Sequence, residues 1–173
     1  MSGSDSSDRR SDVPVDSVEV LNVEDSPEYR IRKGLCSRAV EMIGVPYVWG
    51  GNDPNYGLDC SGAVVHCMRW VGLLAPDEDL SAQGLADGSV RVSRVGVMPG
   101  DLIFYGRSWE SVTHVVMVIA FERVIGASNG SRTCTTPDIA RQRKAAVQVL
   151  KFDYRTSDRL GYGKIWNWRQ DNG

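Results

Sequence analysis

The stretch Gly57-Leu58-Asp59-Cys60-Ser61-Gly62 decides how the rest of the chain is read. Ahead of it runs Val45-Pro46-Tyr47-Val48-Trp49-Gly50-Gly51-Asn52-Asp53-Pro54, dense in turn formers, and behind it comes the apolar Ala63-Val64-Val65. The order is loop, cysteine, helix. A thiol in the first turn of a helix lies at the positive end of the macrodipole, which favours its ionised form. A thiolate is the nucleophile that cysteine catalysis needs. The stretch therefore predicts a cysteine hydrolase, and the remaining chain has to supply a base, an orienting group and a cleft.

The chain's 173 residues point to one main domain with a sizeable core. A hydrophobic content of 42% and a mean hydropathy of -0.27 fit an ordinary globular protein. The net charge of -2 gives no electrostatic reason to expect nucleic acid or an anionic membrane as partner. No apolar run approaches the roughly 20 residues that span a bilayer. The first ten residues are polar and lack the apolar core of a secretory signal, so no export signal is expected. Cys36, Cys60, Cys67 and Cys134 show no close paired spacing, which favours free thiols over a disulfide framework. The same spacings, with the two histidines, match no familiar zinc pattern. Neither metal nor cofactor is expected.

Residues 1–25 read as a flexible or docking extension, and residues 26–173 as the folded domain. Ser26-Pro27-Glu28 is a helix start, with a capping hydroxyl, a proline in the first turn and an acid beside the dipole. Ile31, Leu35, Ala39 and Met42 give that helix one apolar face, with Cys36 as a packed core thiol. A second helix is predicted from Cys60 to Val71, burying Val64 and Cys67 below Cys60 and leaving His66 in a structural role. Residues 73–98 read as a connection with a helical piece over 79–85. Strands follow at 102–105, 112–120, 124–128, 147–152 and 162–168. Helices first and strands afterwards, joined by short links, predict α+β architecture with an antiparallel sheet of about five strands.

Only two histidines are present, and His114 lies on the strongest strand, where a polar ring needs a reason. A Cys60–His114 pair is chemically coherent. Imidazole takes the thiol proton and later protonates the leaving amine, and a third polar group fixes its tautomer.

Four successive motifs now carry a resemblance. They are Pro46-Tyr47-Val48-Trp49-Gly50-Gly51, Leu58-Asp59-Cys60-Ser61-Gly62, Pro99-Gly100-Asp101-Leu102-Ile103-Phe104 and Thr113-His114-Val115, with Ser81-Ala82-Gln83 between the second and third. In this order they resemble the NlpC-type family of papain-like cysteine peptidases, which cut bacterial cell-wall peptides, from about residue 28 to 152. The resemblance implies a papain-like core, Cys60 as nucleophile and His114 as base and acid. It places Tyr47 beside the thiol and the Cys60 N–H in the oxyanion site. Tyr47, Trp49, Asp59 and Ser61 are its candidates for binding substrate. Asp59 is also expected to fix the helix start.

One position departs from the family. Its third polar residue, often a second histidine, falls at Gly126, which has no side chain to orient anything. Ser128 or Asn129 is expected to serve instead, with a backbone carbonyl or a water as the other options. A Gly126→His change is accordingly expected to raise activity or leave it unchanged.

The resemblance implies a peptidoglycan stem peptide as substrate, cut between D-glutamate and the diamino acid. Absence of an export signal suggests a phage lysin, a virion-borne hydrolase or an injected toxin, present in the virion or host cytoplasm before it acts on the wall. Virion proteins would then be partners of the terminal segments. The competing readings are acyl transfer or amidase action on another substrate, and a degenerate module that only binds wall peptide or caps an assembly.

Overall fold

The computed structural model describes residue 24 and residues 26–168. The extension expected over 1–25 thus lies, residue 24 apart, outside the described residues.

Helix α1 (Pro27–Glu41) starts as its sequence dictates, the Tyr29 N–H donating to Ser26 Oγ at 3.1 Å. A two-stranded hairpin, β1 (Asn52–Asp53) and β2 (Gly57–Leu58), leads into α2 (Cys60–Trp70). Helix α3 (Ala82–Gly88) begins later than the helical piece expected over 79–85, because Ser81 is its cap and accepts the Gly84 N–H at 3.1 Å. The remaining elements are β3 (Val90–Val92), β4 (Leu102–Gly106), β5 (Val112–Ala120), β6 (Arg123–Ser128), α4 (Pro137–Arg143), β7 (Ala146–Lys151) and β8 (Arg159–Lys164).

The sheet has six strands, in the order β3-β8-β4-β5-β6-β7, with every pair antiparallel. The sixth strand is β3, whose three residues, mostly exposed, carry too short a pattern to be read as a strand. The α+β architecture is as expected.

The two sheet faces are covered differently. Helices α1 and α2 pack one face, where Leu35, Val65 and Met68 meet Leu102, Phe104, Val115 and Met117. The other face carries a smaller cluster of Ile103, Tyr105, Val116, Val118, Val124 and Tyr162. A buried ion pair ties α1 to the entrance of β4. Arg32 Nη1 lies 2.6 Å from Asp101 Oδ1, and the same nitrogen donates to the Pro99 carbonyl at 3.0 Å. Asp101 also accepts the Met98 N–H at 2.8 Å. Removing the aspartate would leave the guanidinium to Glu28 and the Pro99 carbonyl alone, a loss of about 1.5–3 kcal/mol.

His66 accepts from Arg38 Nε at 3.1 Å, joining α2 to α1 in the structural role expected of it. Cys67 is buried, while Cys36 is only partly covered, so it is a rim thiol rather than a core one.

Candidate active site

Asp59 builds the start of α2 from one side chain. Its Oδ1 accepts the Gly62 N–H at 2.7 Å and the Ser61 hydroxyl at 2.9 Å, while Oδ2 accepts the Gly50 N–H at 3.1 Å. The helix start is thereby locked to the preceding loop. Contact is so close that a Cβ on Gly62 would stand 2.1 Å from the Gly51 carbonyl oxygen. Only glycine fits there.

Cys60, at the first turn, is 6% exposed. Its sulfur meets the N–H groups of Val115, Ser61 and Cys60 itself, three donors able to stabilise negative charge. Burial outweighs them, and the Asp59 carboxylate adds to it, so the thiol is pushed up to about 11. This corrects the expectation that the helix terminus makes a ready thiolate. The carboxylate that caps the helix cancels much of the dipole at that point.

His114 does not share the helix-facing side of the sheet. The period of two puts Val115 and Met117 toward α2, and His114 with Val116 and Val118 on the opposite face. The two faces communicate because β5 and β6 stop pairing at Met117↔Ile125, short of His114 and Ser128. A cleft of about 420 Å³ lies beside that break, lined by Tyr47, Trp49, Thr113, His114, Ser128 and Tyr154 among others. Negative charge on the Cys60 sulfur would be felt by both the Tyr47 and Tyr154 phenols of this cleft.

Burial, reinforced by the Arg155 cation, lowers His114 to about 4. At neutral pH the ring is therefore an uncharged base. Its Nε2 lies 2.9 Å from the Tyr154 hydroxyl. Sequence reading missed Tyr154, since no spacing links it to a histidine forty positions earlier.

The expected orienting residues, Ser128 and Asn129, both line the cleft of His114, whose ring bonds to Tyr154. Asn129 is occupied elsewhere, its Nδ2 donating to the Lys144 carbonyl at 3.3 Å. Ser128 is buried at the cleft, and its hydroxyl makes no hydrogen bond among the described residues. Gly126 is a close-contact position, where a Cβ would meet Val116 Cγ1 at 2.8 Å.

The four candidates for binding substrate divide between two cavities. Tyr47 and Trp49 line the cleft of His114. Asp59 and Ser61 line a second cavity of about 260 Å³, together with Asn52, Asp79 and Ser81. Cys60 stands between Asp59 and Ser61 in the chain, with its sulfur against the Val115 N–H, next in sequence to His114. Trp49 is 45% exposed and carries the Arg132 guanidinium 5.5 Å from its ring centroid.

A cysteine opening a helix that packs on an antiparallel sheet, with a histidine on a central strand lining a cleft, defines a papain-like domain. A sequence model described as the NlpC/P60 family matches residues 44–151, and the chain belongs to that family. Among curated relatives, it is 31% identical over 97 residues to the bifunctional muramidase/DL-endopeptidase CwlT of Bacillus subtilis, covering 55% of this chain and 29% of the relative. It is 29% identical over 135 residues to a gamma-DL-glutamyl hydrolase of the same organism, covering 77% of this chain and 29% of the relative. The chain thus spans under a third of the length of either. Among solved structures, the peptidoglycan hydrolase RipB of Mycobacterium tuberculosis superposes with a TM-score of 0.62 at 24% identity, over 80% of this chain and 66% of that one.

Proposed function

We propose that the chain is a cysteine peptidase that hydrolyses amide bonds in peptidoglycan stem peptides. The observation that carries this is Cys60 at the start of α2 with its sulfur against the Val115 N–H of β5, one residue from His114, which lines a cleft. Family membership and the relatives named above support the substrate class.

The chemistry follows from the two depressed tendencies to ionise. His114 Nδ1 takes the Cys60 proton as sulfur attacks the amide carbonyl, so the thiolate forms only during attack. The Cys60 N–H at the helix start stabilises the oxyanion. The imidazolium protonates the leaving amine, giving a thioester. Water, deprotonated by the same ring, then releases the carboxylic acid and restores the thiol. Tyr47 and Trp49 hold substrate on one side of Cys60, and Asp59 and Ser61 on the other.

The bond proposed is that between D-glutamate and the diamino acid, in keeping with the glutamyl and DL specificities in the relatives' names. The fold and the relatives are silent on a phage or virion setting. A second reading, a binding module without turnover, draws on Gly126 standing where the resemblance expects a polar residue.

Peptidoglycan incubated with the protein or with its Cys60→Ala variant separates the two. Mass spectrometry is expected to find new stem-peptide fragments with the first and none with the second. Wall binding without fragments from either would establish the binding module instead.

A further inference from the structure

We propose that Tyr154 is the positioning residue of the Cys60–His114 pair, a role that rests on the peptidase reading above. Its hydroxyl oxygen accepts the Nε2–H of His114, so that Nδ1 stays unprotonated and available to the thiol.

The two atoms are 2.9 Å apart, a full hydrogen bond. If His114 is to take the Cys60 proton through Nδ1, the ring's own hydrogen must sit on Nε2 and be donated to Tyr154. The phenol then has to place its own proton. Two hydroxyls stand ready: Ser128 Oγ and Tyr105 Oη are both buried, and neither makes a hydrogen bond of normal geometry among the described residues. Both approach the Tyr154 phenol closely enough to act on its ionisation. Ser128 Oγ and Tyr105 Oη, the latter also near the Arg159 guanidinium, thus converge on one hydroxyl, and a proton placed on Ser128 relieves a buried unsatisfied group.

Other candidates are excluded by their contacts. Asn129 is bonded to the Lys144 carbonyl, and Gly126 offers no side chain. A neutral phenol also suits this ring better than a carboxylate would. An acid at that position would raise the imidazole, whereas His114 is held low.

Tyr154 is held firmly enough to do this. Its N–H donates to the Lys151 carbonyl at 3.0 Å. Arg159 Nη2 clamps the turn by donating to the Phe152 and Arg155 carbonyls at 2.9 and 3.2 Å. The Asp158 carbonyl accepts the Gly106 N–H at 3.0 Å, fastening the far end to β4, and Arg155 pairs with the Asp158 carboxylate. The Tyr105 ring packs edge-on at 5.8 Å from Tyr154 and tilted at 5.6 Å from His114, wedging both rings.

Long-range proton–nitrogen NMR of the imidazoles tests this directly, because the chain has only two histidines and His66→Gln assigns the spectrum. Wild-type His114 is expected as the single Nε2–H tautomer at neutral pH. In Tyr154→Phe, which keeps the ring, His114 is expected to become a mixture of tautomers. On stem peptide, kcat should fall about 10- to 100-fold with KM within twofold, a loss in the range that acid–base groups supply. An Nδ1–H tautomer in the wild type overturns the proposal without any variant. So does a folded Tyr154→Phe protein with unchanged tautomer and unchanged kcat. If the tautomers behave as stated but wild-type protein cuts no peptide, the peptidase reading fails while the positioning role stands on the spectra.

Discussion

Two stretches reach the cleft by different routes. Residues 50–62 are built from neighbours in the chain: Asp59 bonds Gly50, Ser61 and Gly62, and glycine lets backbone meet backbone. Residues 152–159 are held by partners in β4 and by arginines that reach across the turn. The first stretch positions the nucleophile through short-range, dense contacts. The second positions the base through side-chain bonds across its own turn and a backbone anchor from β4, each of them separable. The first should be brittle and the second tolerant, with damage to the second appearing in catalysis before it appears in stability.

Gly62→Ala is the harshest test. A methyl 2.1 Å from the Gly51 carbonyl has to push the loop off the helix start, and neither side is a flexible side chain. A loss of several kcal/mol, more than about 3, together with abolished hydrolysis, is expected from chemical denaturation and a peptide assay.

A smaller effect comes from the base. His114 is held at about 4 against 6.5 in the unfolded chain, so unfolded protein binds the extra proton first as pH falls. The associated stability is complete above pH 6.5 and is lost as pH drops through 4, up to about 3 kcal/mol. Denaturation midpoints measured between pH 7 and 4 should fall less steeply in His114→Gln.

Gly126→His sharpens the contrast from the other direction. On sequence alone it was expected to restore a missing partner and raise activity or leave it unchanged. The structure predicts a loss of about 1–3 kcal/mol and of activity, because Val116 occupies the space and is too stiff to yield. Thermal melts and the peptide assay together check this.

The mildest change is Asp158→Ala, which releases Arg155 from a half-exposed ion pair and loosens the turn that carries Tyr154. Stability should change by about 1 kcal/mol or less, with kcat reduced several-fold.

The difference between the stretches also explains what could be read in advance. Residues 45–62 were legible because turn formers, cap, cysteine and apolar run are adjacent, as were α1, α2, the strands β4 to β7 and His114 on one of them, whereas the last strand, expected at 162–168, runs over Arg159–Lys164. Three things escaped. The face that His114 occupies depends on where β5 and β6 part, which no alternation pattern encodes. The state of the thiol depends on a contest between burial, Asp59 and the helix terminus, and the motif displays only the last two. Tyr154 is brought to the histidine by the path of β7 and β8, and a tyrosine after a strand carries no mark of such a role.

The central claim is that the Cys60 sulfur attacks a wall-peptide amide. Acid-quenching the protein during turnover of a stem peptide, then mapping the adduct by mass spectrometry, addresses it most directly. The account predicts an acyl group on Cys60 that is absent from Cys60→Ala and bare at Cys36, Cys67 and Cys134. Cleaved peptide with no adduct on Cys60, or undiminished cleavage by Cys60→Ala, would contradict it.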